Sequence, residues 1–141
     1  MASRREQILA AIATTLGSAA GVDGRSYRSR MEALSRDEAP ALVVEPGQDA
    51  AQVVNLCKLN WTLDVLISVY ARGEEPDKVA DPTIVSVHSL LMADRTIGGL
   101  AYDLVPTSVS FDLERADLMS CWTQLVYRVS YRCAVDNLES A

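Results

Sequence analysis

The chain has 141 residues, 49% of them hydrophobic and 23% charged, with a formal net charge of −6. That length suits one domain able to bury its own core, and the acidic balance argues against a protein that grips nucleic acid through its phosphates. The apolar runs are far shorter than a membrane span and the polar start Met-Ala-Ser-Arg-Arg-Glu lacks a signal-peptide core, so the expectation is a single cytoplasmic domain over residues 1–141.

Ser3 followed by Glu6 is a capping-box pattern, in which each side chain satisfies a backbone N–H left free at a helix start. Leu9, Ile12, Ala13 and Leu16 then form an apolar stripe at helical spacing, and Gly17 or Gly21 can end the helix in a left-handed turn. From Ser26 to Glu32 the residues alternate, with Tyr27, Ser29 and Met31 against Arg28, Arg30 and Glu32. This predicts an edge strand whose outward face is charged. Arg25, Arg28 and Arg30 form a local basic cluster, read as solvated. Pro40 precedes a short strand over residues 41–45, and Pro46-Gly47 is read as the turn that closes it.

The strongest signal runs from Leu56 to Arg72. Cys57, Leu59, Trp61, Leu63, Val65, Ile67, Val69 and Ala71 are apolar, and Lys58, Asn60, Thr62, Asp64, Ser68 and Arg72 lie between them. Successive strand side chains point to opposite faces, so this is one long strand with a buried face. Gly73 to Ala80 is read as a loop carrying Glu74, Glu75 and Asp77, and Asp81-Pro82 as the start of a second helix. Ile84, Val87, His88 and Leu91 mark its buried side.

Asp94 to Leu100 is a compact loop with paired glycines, Gly98 and Gly99. A short strand over residues 105–111 follows, with Val105, Val109 and Phe111 on one parity, and Leu113 to Asp117 is read as a connector. Met119 to Val135 repeats the long-strand pattern, with Cys121, Leu125, Tyr127, Val129, Tyr131 and Cys133 on one face. The order predicts an α+β fold of two layers, a mixed or mostly antiparallel β-sheet with helices packed on one face. A strand of about sixteen residues exceeds roughly 50 Å, well beyond the common strand length. Either a bulge or bend breaks it, or part of it reaches a neighbouring molecule.

Catalytic patterns are absent from the sequence. His88 is the sole histidine and falls at helical spacing with apolar residues, as a satisfied histidine at the helix–sheet boundary. Cys57, Cys121 and Cys133 share the apolar parity of their strands and are read as reduced core thiols. No histidine–cysteine set has metal-ligand spacing, and Gly98-Gly99 lacks the strand-to-helix context of a phosphate loop. Glu74/Glu75 and Asp112/Glu114 are read as solvated, and Asp64 lies on a polar strand face. The expectation is no catalytic residue, no cofactor and no metal.

Asp81-Pro82, His88 and the run Asp94-Arg95-Thr96-Ile97-Gly98-Gly99-Leu100, with the closing strand Tyr127, Arg128, Val129 and Tyr131 before Asp136, resemble the tail terminator family of long-tailed bacteriophages, the minor tail protein U type of lambda-like phages. The resemblance implies an α+β subunit that assembles as a hexameric ring at the head-proximal end of the tail tube. Such a ring stops tube polymerisation and offers its other face to a head–tail connector or neck protein. It also implies a virion protein made in the host cytoplasm, without enzymatic activity or cofactor, through whose lumen DNA passes unbound. The residues it singles out for subunit or tube contact are Asp94, Arg95, Thr96, Ile97, Gly98, Gly99 and Leu100. Glu74 and Glu75 are candidates for one ring face, and Arg28, Arg30, Arg128 and Arg132 for charged subunit contacts; each has the plainer alternative of a tight turn or a solvated side chain. A head–tail joining (neck) protein, a small enzyme using His88 with Cys57 or Cys121, and a monomeric ligand-binding domain are the competing readings.

Overall fold

A computed structural model describes residues 2–29, 39–114 and 119–139. Two helices, α1 (Arg4–Leu16) and α2 (Pro76–Ala93), accompany five strands: β1 (Ser26–Arg28), β2 (Ala41–Val53), β3 (Lys58–Arg72), β4 (Asp103–Glu114) and β5 (Ser120–Ala134). The sheet order is β1-β2-β3-β5-β4, parallel between β1 and β2 and antiparallel elsewhere. The helices pack on the sheet, giving the expected α+β fold.

Alternation decides the two central strands. β3 and β5 pair without interruption from Lys58↔Ala134 to Arg72↔Ser120. Leu63, Val65, Ile67, Val69 and Ala71 of β3 join Leu125, Tyr127, Val129, Tyr131 and Cys133 of β5 in one buried cluster with Ile8, Leu9, Ile12 and Leu16 of α1 and Val87 and Leu91 of α2. Helix α1 starts as predicted, with the Glu6 amide donating to Ser3 Oγ at 3.2 Å. The Glu6 carboxylate does not close the box; it holds Arg28 instead. The helix ends at Gly17 in a right-handed conformation, and the left-handed glycine comes later, at Gly21.

Several boundaries differ from the sequence reading, each for a local reason. Pro46-Gly47 is not a turn: β2 runs through it to Val53, with one extra residue accommodated between Pro46 and Asp49. Proline costs no hydrogen bond at such a bulge, and a Cβ on Gly47 would meet the Asp64 carbonyl oxygen at 3.1 Å. The second helix begins at Pro76, not at Asp81-Pro82, so much of the expected loop from Gly73 to Ala80 is helical. Two acid–proline pairs, Glu75-Pro76 and Asp81-Pro82, fall in this stretch, and the earlier one starts the helix because Pro76 and Ala80 are buried there. Thr83 and Ser86 then anchor α2 to the loop after α1, with Thr83 Oγ1 donating to the Ala20 carbonyl and the Ala20 amide donating to Ser86 Oγ.

β4 is likewise long, and its own bulge between Pro106 and Ser108 places Val105 opposite Arg128 but Val109 opposite Leu125. Val105 therefore does not share a face with Val109 and Phe111. The strand continues to Glu114, through the start of the expected connector. The first edge strand is confined to Ser26–Arg28, with Ser29 at φ 44°, and its expected continuation to Glu32, Arg30 included, lies outside the described residues. Cys121 and Cys133 are buried as expected, but Cys57 is exposed because β3 starts only at Lys58.

Candidate functional site: loop, helix ends and sheet borders

The Asp94–Leu100 loop follows directly from the end of α2. Asp94 organises it. One carboxylate oxygen accepts from the Thr96 amide and hydroxyl, the other from the Gly98 amide at 2.8 Å. These donors, the Thr96 hydroxyl first, hold the Asp94 carboxyl below its usual range. Gly98 (φ 64°) and Gly99 (φ 88°) supply left-handed angles, and nothing lies within 4 Å of a Cβ added at either, so the requirement there is backbone conformation. Ile97 adopts φ 52°, an unfavourable angle for a β-branched residue. Its side chain packs on the core together with that of Leu100. Arg95 is occupied by Asp103, at 2.7 Å.

Within this candidate loop, then, Ile97 and Leu100 face inward, while Asp94, Arg95, Thr96, Gly98 and Gly99 remain on the surface. Replacing Asp94 by alanine should speed hydrogen exchange at the Thr96 and Gly98 amides while leaving the amides of β3 and β5 protected. Exchange mass spectrometry checks it; unchanged loop amides would contradict the role given to Asp94.

The remaining candidates lie elsewhere. Glu74 and Glu75 sit at the start of α2, and an eighteen-residue helix is about 27 Å long, so they are not brought near the loop. Glu75 occupies the cap position without a side-chain cap bond and lies 3.6 Å from Lys78. Arg128 and Arg132 are on the sheet face away from the helices, each directly across from a β3 partner: Arg128 Nε donates to Asp64 at 3.3 Å, Arg132 Nε to Asn60 at 2.9 Å. Such exposed cross-strand pairs stabilise by about 0–1 kcal/mol. Arg28 turns to the helix side, where its guanidinium grips both carboxylate oxygens of Glu6 at 2.8 and 3.0 Å. It clamps α1 to β1 and is a structural contact, contrary to its assignment to an outward strand face.

For chemistry, His88 Nδ1 lies 2.8 Å from the hydroxyl of Tyr127, which burial pushes up in pKa. Cys121 is six residues from Tyr127 along β5, roughly 20 Å. Cys57 pairs with Val135, beyond the opposite end of β5. No Cys–His pair is assembled. Among the described residues no group of three or more His, Cys, Asp and Glu is placed to hold a metal ion, and no helix is long and apolar enough to cross a membrane.

No protein-family description matches this chain, and no curated protein matches its sequence.

Three features escaped the sequence reading. The first is a buried polar cluster. The β2 bulge turns Asp49 to the helix side, opposite Leu63, where its carboxylate accepts from the Tyr131 hydroxyl and from Arg5 at 3.1 Å. Its side chain is only 6% exposed. The second is on β4: Val109, Phe111 and Leu113 stand opposite Leu125, Thr123 and Cys121 on the helix-side face, yet they are 51%, 59% and 45% exposed. α2 covers β3 and β5 but leaves this half of the edge strand bare. The third is the β2–β3 turn, where Leu56 is 96% exposed beside Val53 and Val54. Alternation reveals an apolar face; it does not reveal whether the same chain covers it.

Proposed function

We propose that this chain is a ring-forming structural protein of a phage tail, the terminator that caps the tube, halts its polymerisation and presents a face for head or neck joining. The observation that carries the self-assembling part is the bare half of β4: a long edge strand, with no further strand beside it among the described residues, and three large apolar side chains on its core-facing parity. Natural sheets protect edges with charge, proline or a covering element; β4 has Pro106, Asp112 and Glu114 along its backbone, but no element covers its apolar side chains from Val109 to Leu113 among the described residues. A wide apolar border left open in this way fits a surface completed by an adjoining subunit. The capping assignment draws on the resemblance in the Asp94–Leu100 loop and in the closing strand. The net charge of −6 also suits a conduit for DNA, since like charge keeps phosphates from adhering.

The test is polymerisation of the tail tube protein with and without this chain, followed by electron microscopy. Capping should shorten the length distribution and leave extra density at one end of each tube. Tubes of unaltered length without terminal density would refute the capping role. Density found only on the portal side of assembled particles would assign the chain to the neck instead.

A further inference from the structure

Two bare apolar patches occupy diagonally opposite corners of the sheet. One is the outer half of β4, paired to the start of β5; the other is the β2–β3 turn, beyond the end of β5. Between them β3 runs fifteen residues, roughly 50 Å, so neither patch can cover the other within one molecule. Each has a distinct shape. Beside β4 lies a groove of about 530 Å³, walled by Asp81, Pro82 and Ile84 of α2 and by Val109 and Phe111. The turn is a knob: the Asn55 carboxamide oxygen accepts from the Cys57 and Lys58 amides at 2.8 and 3.0 Å, which fixes the tip with Leu56 projecting.

Their charges also differ. Asp77 and Asp81 line the groove, and Lys78 beside them lies 3.6 Å from Glu75; Asp112 and Glu114 alternate onto the opposite face of the sheet. Across residues 50–63 the sequence holds no acid, and its one charged side chain is Lys58. A two-fold contact of groove on groove would bring Asp77 and Asp81 of one copy against the same pair of the other, which is electrostatically unfavourable. Knob on groove joins an apolar projection to an apolar slot and brings Lys58 toward the acids.

We infer that the β2–β3 turn of one copy, led by Leu56, seats in the α2–β4 groove of a second copy. The contact is heterologous, the kind that propagates head to tail and closes into a ring. Edge pairing can extend it, because among the described residues β1 pairs only with Leu42–Val44 and leaves the outer side of β2 free from Glu45 onward. This rests on the self-assembly part of the proposed function and is independent of tube capping.

The test uses Leu56→Asp, which spoils the knob, and Phe111→Asp, which spoils the groove, each studied by native mass spectrometry at the highest soluble concentration. Both sites are exposed, so folding should persist; a thermal melt confirms it, and Val109→Asp replaces Phe111→Asp if the melt is lost. Wild-type chain should assemble, and each variant alone should stay at the 15.3 kDa protomer mass. Mixed, they should form one-to-one pairs, because one intact knob meets one intact groove. Self-dimers of Leu56→Asp, a mixture that stays monomeric, variants that assemble like wild type, or a wild-type chain that never associates would each overturn the inference. An assembled ring that fails to stop tube growth would leave this contact standing and remove only the capping role.

Discussion

Replacing Ile67 by alanine should destabilise the fold by about 2–5 kcal/mol, the usual range for removing a large aliphatic side chain from a closed core. Ile67 is fully buried at the centre of β3, paired with Val44 of β2 on one side and Leu125 of β5 on the other, inside the cluster that α1 and α2 cap. Each of those neighbours is fixed by a strand register, so the site cannot collapse to fill the space, and the cost should fall toward the upper part of the range. Native stability is commonly about 5–15 kcal/mol, which makes this a large fraction of it. Urea denaturation followed by circular dichroism gives the value. A loss below about 1 kcal/mol would mean that the centre of the sheet is far less tightly packed than described.

Tyr131→Phe should cost about 1–3 kcal/mol at neutral pH, and the cost should shrink on acidification. Asp49 is buried, and that burial raises its pKa above the usual carboxylate range; the Tyr131 hydrogen bond and Arg5 pull it partly back. The Tyr131 phenol is itself held high, first by burial and then by Asp49, so it remains a donor throughout the accessible range. Because the folded-state pKa of Asp49 is raised, the folded protein binds its proton more tightly than the unfolded chain. Its contribution to stability is therefore present at low pH and lost as pH rises through the raised value. Phenylalanine removes a donor to the ionised form, so the raised pKa climbs further and the deficit grows with pH. Below both values the carboxyl is neutral and the missing hydroxyl costs less.

Glu6, held below its usual range chiefly by its hydrogen bond to Arg28, has the opposite sign: its contribution is present above the unfolded value and lost as pH falls. Comparing Tyr131→Phe with wild type at each pH cancels that background. A deficit that stays constant or grows toward acid would contradict the arrangement.

Much of the architecture was legible in the residues because period-two alternation is unambiguous when it persists. Leu63 to Ala71 and Cys121 to Cys133 specify their strands and their buried faces, whereas their pairing with each other emerges only in the fold. Ser3 specified the first helix through its side-chain oxygen. Legibility failed where a single residue shifts a register. One extra residue at Pro46–Asp49 keeps β2 going and turns Asp49 inward; another at Pro106–Ser108 separates Val105 from Val109. Nothing local distinguishes Glu75-Pro76 from Asp81-Pro82 as a helix start, since both offer an acid before a proline; burial of Pro76 and Ala80 decides it.

The candidate loop from Asp94 to Leu100 could be found from its paired glycines, and its inward residues could not. Arg28 read as solvated because its partner, Glu6, is twenty-two positions away in sequence. The exposed apolar patches were hidden by the same pattern that predicted the strands. Val109 and Phe111 look like core residues, and only the reach of α2 shows that they are not covered.

The decisive measurement is a three-dimensional reconstruction, by electron cryomicroscopy, of tail tube ends formed in the presence of this chain. The expected result is a closed ring of copies on one end, with the outer half of β4 in each subunit covered by the Leu56 turn of its neighbour. A bare tube end, or a terminal ring in which Val109, Phe111 and Leu113 still face solvent, would contradict the account.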